Sequence, residues 1–244
     1  MSVLSAALTP WYRRTSTSAD DGPPVSGSLS PTAILDFDSP EVQRLVSRAR
    51  RAARSSSPLE VLEAAHAIIR DEVRPVYALD ESTPSSRTLR RGKGSCSQRL
   101  AILESVARAV GVPTRVRALL VDRSFWYPRF PRIKFFLPEQ IMLVWPEFTI
   151  DGTWRSASEI FGPVGCRGGG GFTNTGSETL FEAVGRCAID WGGSSDNDEY
   201  DLSKFVRADL GYFSDRDAAF DRFGQTLAPP ILVLADPVLR RISA

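Results

Sequence analysis

Gly92-Lys-Gly-Ser-Cys96-Ser-Gln-Arg-Leu-Ala-Ile-Leu-Glu-Ser-Val-Ala-Arg-Ala-Val-Gly111-Val-Pro113-Thr-Arg-Val-Arg117 is the stretch that decides the fold. Leu100, Leu103, Val106, Ala107 and Val110 recur at helical spacing, Gly111 stands at the exit and Pro113 just beyond it. The spacing predicts a helix with Cys96 in its first turn. The first N–H groups of a helix lack intrahelical carbonyls, and the positive dipole end favours an anion there. A thiolate, and hence a nucleophile near neutral pH, is the expectation for Cys96.

Outward from this helix the chain offers further regular elements. Ser39-Pro40-Glu41 and Ser57-Pro58-Leu59-Glu60 both read as helix starts, the second in capping-box form. Val42, Leu45, Val46, Ala49 and Ala53 give the first of these helices one apolar stripe, and its arginines read as a solvated face. The second runs to about Val73 and holds His66, the only histidine of the chain, beside the apolar stripe of Leu62, Ala65 and Ile69. Residues 76–91 read as an irregular, basic approach to the cysteine. After it, Thr114–Asp122 reads as a strand, followed by an aromatic and basic loop over 123–138 that is either a lid or a partner surface. Gln140–Trp145 reads as a second strand, and Phe148–Trp154 as a hairpin turning at Asp151-Gly152. Glu178–Cys187 reads as helical, Asp201–Phe223 as one or two short helices, and the segment from Pro229 as a closing strand.

The order Gly-x-Cys96, an Ala/Leu-rich helix carrying Arg108, then Gly111-Val-Pro113-x-Arg115 leading into a strand resembles the transglutaminase-like superfamily in a short, bacterial-looking form. The resemblance covers roughly residues 58–160. It implies an α+β, papain-like fold, in which the nucleophile helix packs on an antiparallel sheet, and a Cys-His-Asp triad with Cys96 as nucleophile. Trp145, Glu147, Gly152 and Trp154 fall on the family's positions around its histidine, but the histidine's place is taken by Leu143 and the aspartate's by Ser158.

Composition bounds the rest. The 244 residues suffice for one domain, expected over 39–244 behind an irregular arm at 1–38, part of which can dock through residues such as Trp11, Tyr12, Ile34 and Leu35. Lys+Arg 30 against Asp+Glu 29 leaves a net charge of +1, so nothing draws the chain globally to nucleic acid or an anionic membrane. Three cysteines and no long apolar run suggest a soluble, reducing, cytoplasmic setting. Neither a metal nor a cofactor is expected.

Three functions follow from this reading. The first is acyl transfer or ring closure in bacterial natural-product metabolism, centred on Cys96, on an activated small-molecule or carrier-bound substrate. A thioester suits it, because it needs less general-base help than an amide. The second is an isomerase or cyclase that uses other cleft acids. The third is a non-catalytic binding module with a degenerate triad. Glu147 and Asp151 join Cys96 as candidate catalytic residues, and Trp145, Arg115, Asp122, Trp126 and Tyr127 as candidate substrate contacts.

Overall fold

The structure, a computed structural model, describes residues 25–78, 80–131, 134, 137–161 and 170–226. In chain order come helices α1 (Pro40–Ala52) and α2 (Pro58–Glu72), strand β1 (Arg74–Pro75), helix α3 (Ser85–Arg91), strand β2 (Lys93–Gly94) and helix α4 (Cys96–Ala109). Strands β3 (Thr114–Asp122), β4 (Gln140–Ile150) and β5 (Thr153–Ser156), helix α5 (Leu180–Val184), strand β6 (Val206–Phe213) and helix α6 (Arg216–Phe223) follow. The last four strands form an antiparallel sheet in the order β5-β4-β3-β6. The fold is α+β, as expected.

Local chemistry explains the sheet's centre. Asp151 and Gly152 both take positive φ, 52° and 76°, the pairing that a two-residue turn needs to match strand twist. The strand before that turn, expected to break, instead runs unbroken through Pro146. Ala157 N–H donates to Pro146 O, so the proline's missing donor faces the β5 side, just beyond the last ladder pair of Glu147 with Ser156. No bond to β3 is lost, which makes the proline tolerable there.

Helix α4 is the hub. The helical spacing picked out Leu100, Leu103, Val106, Ala107 and Val110, yet every residue from Gln98 to Arg108 is buried, because α1, α2, α3, α5 and the sheet surround it. Its polar side chains are therefore each held by a partner. Ser105 Oγ donates to Ser85 Oγ at 2.8 Å, and Arg108 donates to Thr114 Oγ1, Ser30 O and Ser214 O. Arg108 thus ties the helix exit to the start of β3, the arm and the entry to α6. One apolar cluster joins Val116, Ala118, Leu120, Met142 and Val144 to Ala219, Phe220 and Phe223 of α6. The other takes Leu119, Val121, Leu143 and Trp145 with residues of α1, α2, α4 and α5.

Several expectations are corrected. Residues 85–91 are helical, because Ser85, Ser86 and Thr88 bury against their neighbours and Gly92 (φ 59°) closes the turn in the left-handed region. The capping box expected at Ser57 does not form, and Ser39 makes no side-chain cap either. Boxes form instead at Ser95 with Gln98 and at Thr179 with Glu182. Residues 206–213 are a strand, whose alternation of Val206, Ala208 and Leu210 with Arg207 and Asp209 was a readable signal. The helix expected over 178–187 is confined to Leu180–Val184. Of the arm, Ile34 and Leu35 are buried and Ser28 pairs with Thr114. Trp11, Tyr12, Phe135, Phe136, Cys166 and the segment from Pro229 lie outside the described residues. Among those described, no helix is long and apolar enough to cross a membrane.

Candidate active site

The helix start that carries Cys96 is built from both sides. Ser95 Oγ accepts from Gln98 N–H and Gln98 Oε1 accepts from Ser95 N–H, both at 3.1 Å, which fixes the first turn. Gly94 permits the approach, since a Cβ there would come within 2.6 Å of Thr88 Cγ2. Cys96 is half-buried and lines a cavity of about 260 Å³. Val76, Tyr77 and Ala78 form one part of its lining, and Phe125, Trp126 and Phe130 of the aromatic loop another. Leu143, the residue in the place of the family's imidazole, lines the same cavity. The cysteine therefore faces a small, largely apolar chamber rather than a sealed core.

Among the described residues one acid shares that chamber, and sequence reading did not select it. Glu81 lies in the stretch read as an irregular approach, and the elements around it hold it in place. Gln98 Nε2 donates to Asp80 O at 2.8 Å, and Glu81 N–H donates to Gln225 Oε1 at 2.7 Å. Ser95 Oγ donates to Glu81 Oε1 at 3.4 Å, while the buried Oε2 has no hydrogen-bond partner among the described residues, although the residue as a whole keeps some exposure. Burial drives its pKa up to about 7 against the opposing pull of the Ser97 hydroxyl and the Arg216 charge. A carboxyl poised there can accept or donate a proton at neutral pH. Ser97 Oγ in turn accepts from Arg216 Nη1 at 2.7 Å.

The other expected site residues disperse. Trp126 shares the cavity with Cys96, whereas Tyr127 is not among its lining residues and lies with Lys134 Nζ 5.9 Å from its ring centre. Glu147 is bound by Arg115, whose Nε and Nη2 lie 2.8 and 2.7 Å from Glu147 Oε2, and Arg115 is stacked on Trp154 and Tyr212. Trp145, Glu147 and Ser158 line a second, more polar depression of about 530 Å³ with Arg117 and Trp191. Asp122 closes β3, where it accepts from Ser124 N–H and Arg207 Nε. Asp151 stands exposed on the hairpin turn. The structure thus brings neither Glu147 nor Asp151 to the lining of the Cys96 cavity.

His66 is a core residue. Its ring lies between Phe161 and Phe181, with centroids at 4.6 and 4.4 Å, and its Nε2 is 2.7 Å from Phe181 O. Burial lowers its pKa to about 4. The folded state therefore binds fewer protons than the unfolded chain between that value and the ordinary one of about 6.5, and stability present above pH 6.5 is lost as pH falls through this window. In urea unfolding, the advantage of wild type over His66→Gln should shrink by up to about 3 kcal/mol between pH 6.5 and 4. A constant gap would contradict the buried, neutral state. Cys187 is likewise buried, and its burial raises the thiol pKa, as suits a small apolar packing group.

In comparison with known proteins, the family model of the transglutaminase-like superfamily matches residues 46–158, from within α1 to just past the β4–β5 hairpin. Cys96, Glu81, Trp126, Arg129 and Leu143 fall inside this segment, and β6, α6 and Asn174 beyond it. Comparison with curated proteins and with solved structures gave no match.

Proposed function

Residues 46–158 belong to the transglutaminase-like superfamily, and on that premise we propose that the chain is an acyl-transfer or ring-closing enzyme in which Cys96 is the nucleophile and Glu81 moves the proton. The observation that carries this reading is the shared cavity of Cys96 and Glu81, with a carboxyl poised near neutrality and the only histidine committed to the core. Glu81 takes the thiol proton, Cys96 Sγ attacks the acyl carbon and the bond to the leaving thiol breaks. The leaving thiolate recovers the proton from Glu81. The acyl group then passes from Cys96 to an acceptor, or to a nucleophile within the same molecule when a ring closes. Gln98 N–H is taken by Ser95 Oγ, which leaves the amides of Cys96 and Ser97 in the first turn of α4 as candidate donors for the developing oxyanion.

An activated ester fits better than an amide, because a thiolate departs with less protonation than an amine requires. The chamber's size and apolar lining support a small acyl group, free or on a carrier arm, as in natural-product assembly. Glu81 also favours a second reading, isomerisation or cyclisation by proton transfer alone. Trapping separates the two. With a panel of acyl thioesters of N-acetylcysteamine, intact-protein mass spectrometry should find one acyl group, and digestion should place it on Cys96. Turnover without any adduct favours the second reading. If Cys96 also resists iodoacetamide in the folded protein, the chain is a binding module.

A further inference from the structure

Among the described residues, the Cys96 chamber has two charged lining residues, Glu81 and Arg129. Arg129 Nε donates to Asn174 Oδ1 at 2.9 Å and Nη2 donates to Glu178 O. Both acceptors are neutral, and no ion pair reaches Arg129 from a carboxylate among the described residues. The acids close to this wall are already engaged. Glu178 binds Arg186 through both carboxylate oxygens at 2.7 and 2.8 Å, and Glu182 lies 2.5 Å from Arg99. Asn174 is itself buried at a positive φ of 56° and uses the other end of its amide to hold Phe125 O at 2.7 Å. The guanidinium is therefore held through its Nε and Nη2 atoms, and among the described residues no carboxylate pairs with it and no acceptor takes Nη1.

An arginine free in solvent needs no explanation, but one clamped into the wall of an apolar chamber is preorganised for an anion. We propose that the substrate carries a carboxylate on its apolar body and that Arg129 binds it, which makes Arg129 the residue that selects substrates for the Cys96 site. Among the described residues Arg129 is the one positive charge of the lining, with Glu81 the one acid, and this suits a monoanion, since a second negative charge would be desolvated without a counter-ion. The inference rests on the assignment of Cys96 as the reactive group, and the test keeps the two apart.

Two chloroacetamides of similar size serve as probes, N-(2-carboxyethyl)chloroacetamide and its neutral N-butyl counterpart. Each alkylates the thiolate, Sγ forming a bond to carbon as chloride leaves. In wild type the carboxylate probe should label Cys96 at least about tenfold faster at low concentration, the size of one charged hydrogen bond. Arg129→Gln should abolish that preference, read as the ratio of the two rates within the same variant, while the neutral probe still labels Cys96 and so reports an intact site, and Arg129→Lys should restore part of the ratio. Should the glutamine variant not fold, wild type still decides: hexanoate should slow labelling by the neutral probe, and hexanol should not. Equal rates for the two probes, or equal protection by acid and alcohol, overturn the role of Arg129 alone. Failure of both probes to label Cys96 overturns the cysteine assignment and this inference with it.

Discussion

Glu81→Gln is expected to lower turnover by roughly 10²–10⁴-fold, the usual contribution of a positioned acid or base. Glutamine keeps the size of the side chain and an oxygen that can accept from Ser95 Oγ, as Glu81 Oε1 does at 3.4 Å. It cannot accept the Cys96 proton or return it to the leaving group. Wild-type turnover should show an inflection near the carboxyl's pKa of about 7, and the variant should lose it. Cys96→Ala should abolish turnover with the fold intact, and Cys96→Ser should be nearly as damaging, since Leu143 offers no imidazole to activate a hydroxyl. An active Cys96→Ala variant would transfer the chemistry to Glu81 alone.

The same substitution has a stability signature of opposite sign. Glu81 holds its proton to higher pH in the folded state than in the unfolded chain, so the folded state loses relative stability as pH rises from the unfolded value to about 7. Glu81→Gln should therefore be the more stable protein at pH 8, by roughly 2 kcal/mol, and show no such gain at pH 4. His66 acts in the reverse sense over nearly the same window, gaining stability as pH rises from about 4. The two slopes offset one another in the wild-type profile, so each is read as the difference between wild type and the variant that lacks the group. Equal stability of Glu81→Gln and wild type at both pH values would contradict the raised pKa.

Arg216→Met is expected to destabilise the protein by about 3–5 kcal/mol, the cost of stranding one member of a buried ion pair. Arg216 Nε lies 2.5 Å from Glu104 Oε1, and both side chains are essentially without solvent exposure. Burial pushes the Glu104 carboxyl up, and the charge of Arg216 opposes it. Without the arginine, Glu104 must protonate or remain charged in the core. Urea unfolding at pH 7 measures the loss, and a change below about 1 kcal/mol would mean that solvent reaches the pair. The double variant Glu104→Leu, Arg216→Met should recover much of it, because two apolar groups strand no charge. The pair also bears on the candidate site. Arg216 holds Ser97 and lowers the Glu81 pKa, so in Arg216→Met the inflection in the pH profile should move upward.

The parts of this molecule that were legible in its sequence are those set by neighbours a few residues away. Cys96 opens its helix because the apolar residues after it keep helical spacing and Gly111 and Pro113 stop it. β3 spans Thr114–Asp122, as its pattern predicts, and Asp151-Gly152 makes the hairpin turn because that pair tolerates positive φ. β6 was equally legible in its alternation and was passed over. Pro146 suggested a break because a proline's effect depends on which side its missing donor faces, and that depends on where β5 stops.

Local pattern alone determined the helix, the hairpin and the place of the cysteine, because backbone geometry and the apolar face of an element depend on contacts within a turn or a strand. The tertiary structure decided which charges matter. Glu147 was a candidate acid by its spacing, yet the β3–β4 register sets it opposite Arg115, which neutralises it. Glu81 had no signal of its own in an irregular stretch. Its raised pKa comes from burial beside the start of α4, which outweighs the opposing pull of Ser97 and of Arg216, a residue of the last described helix. Desolvation and the meeting of distant charges are properties of the packed chain, and no local pattern carries them.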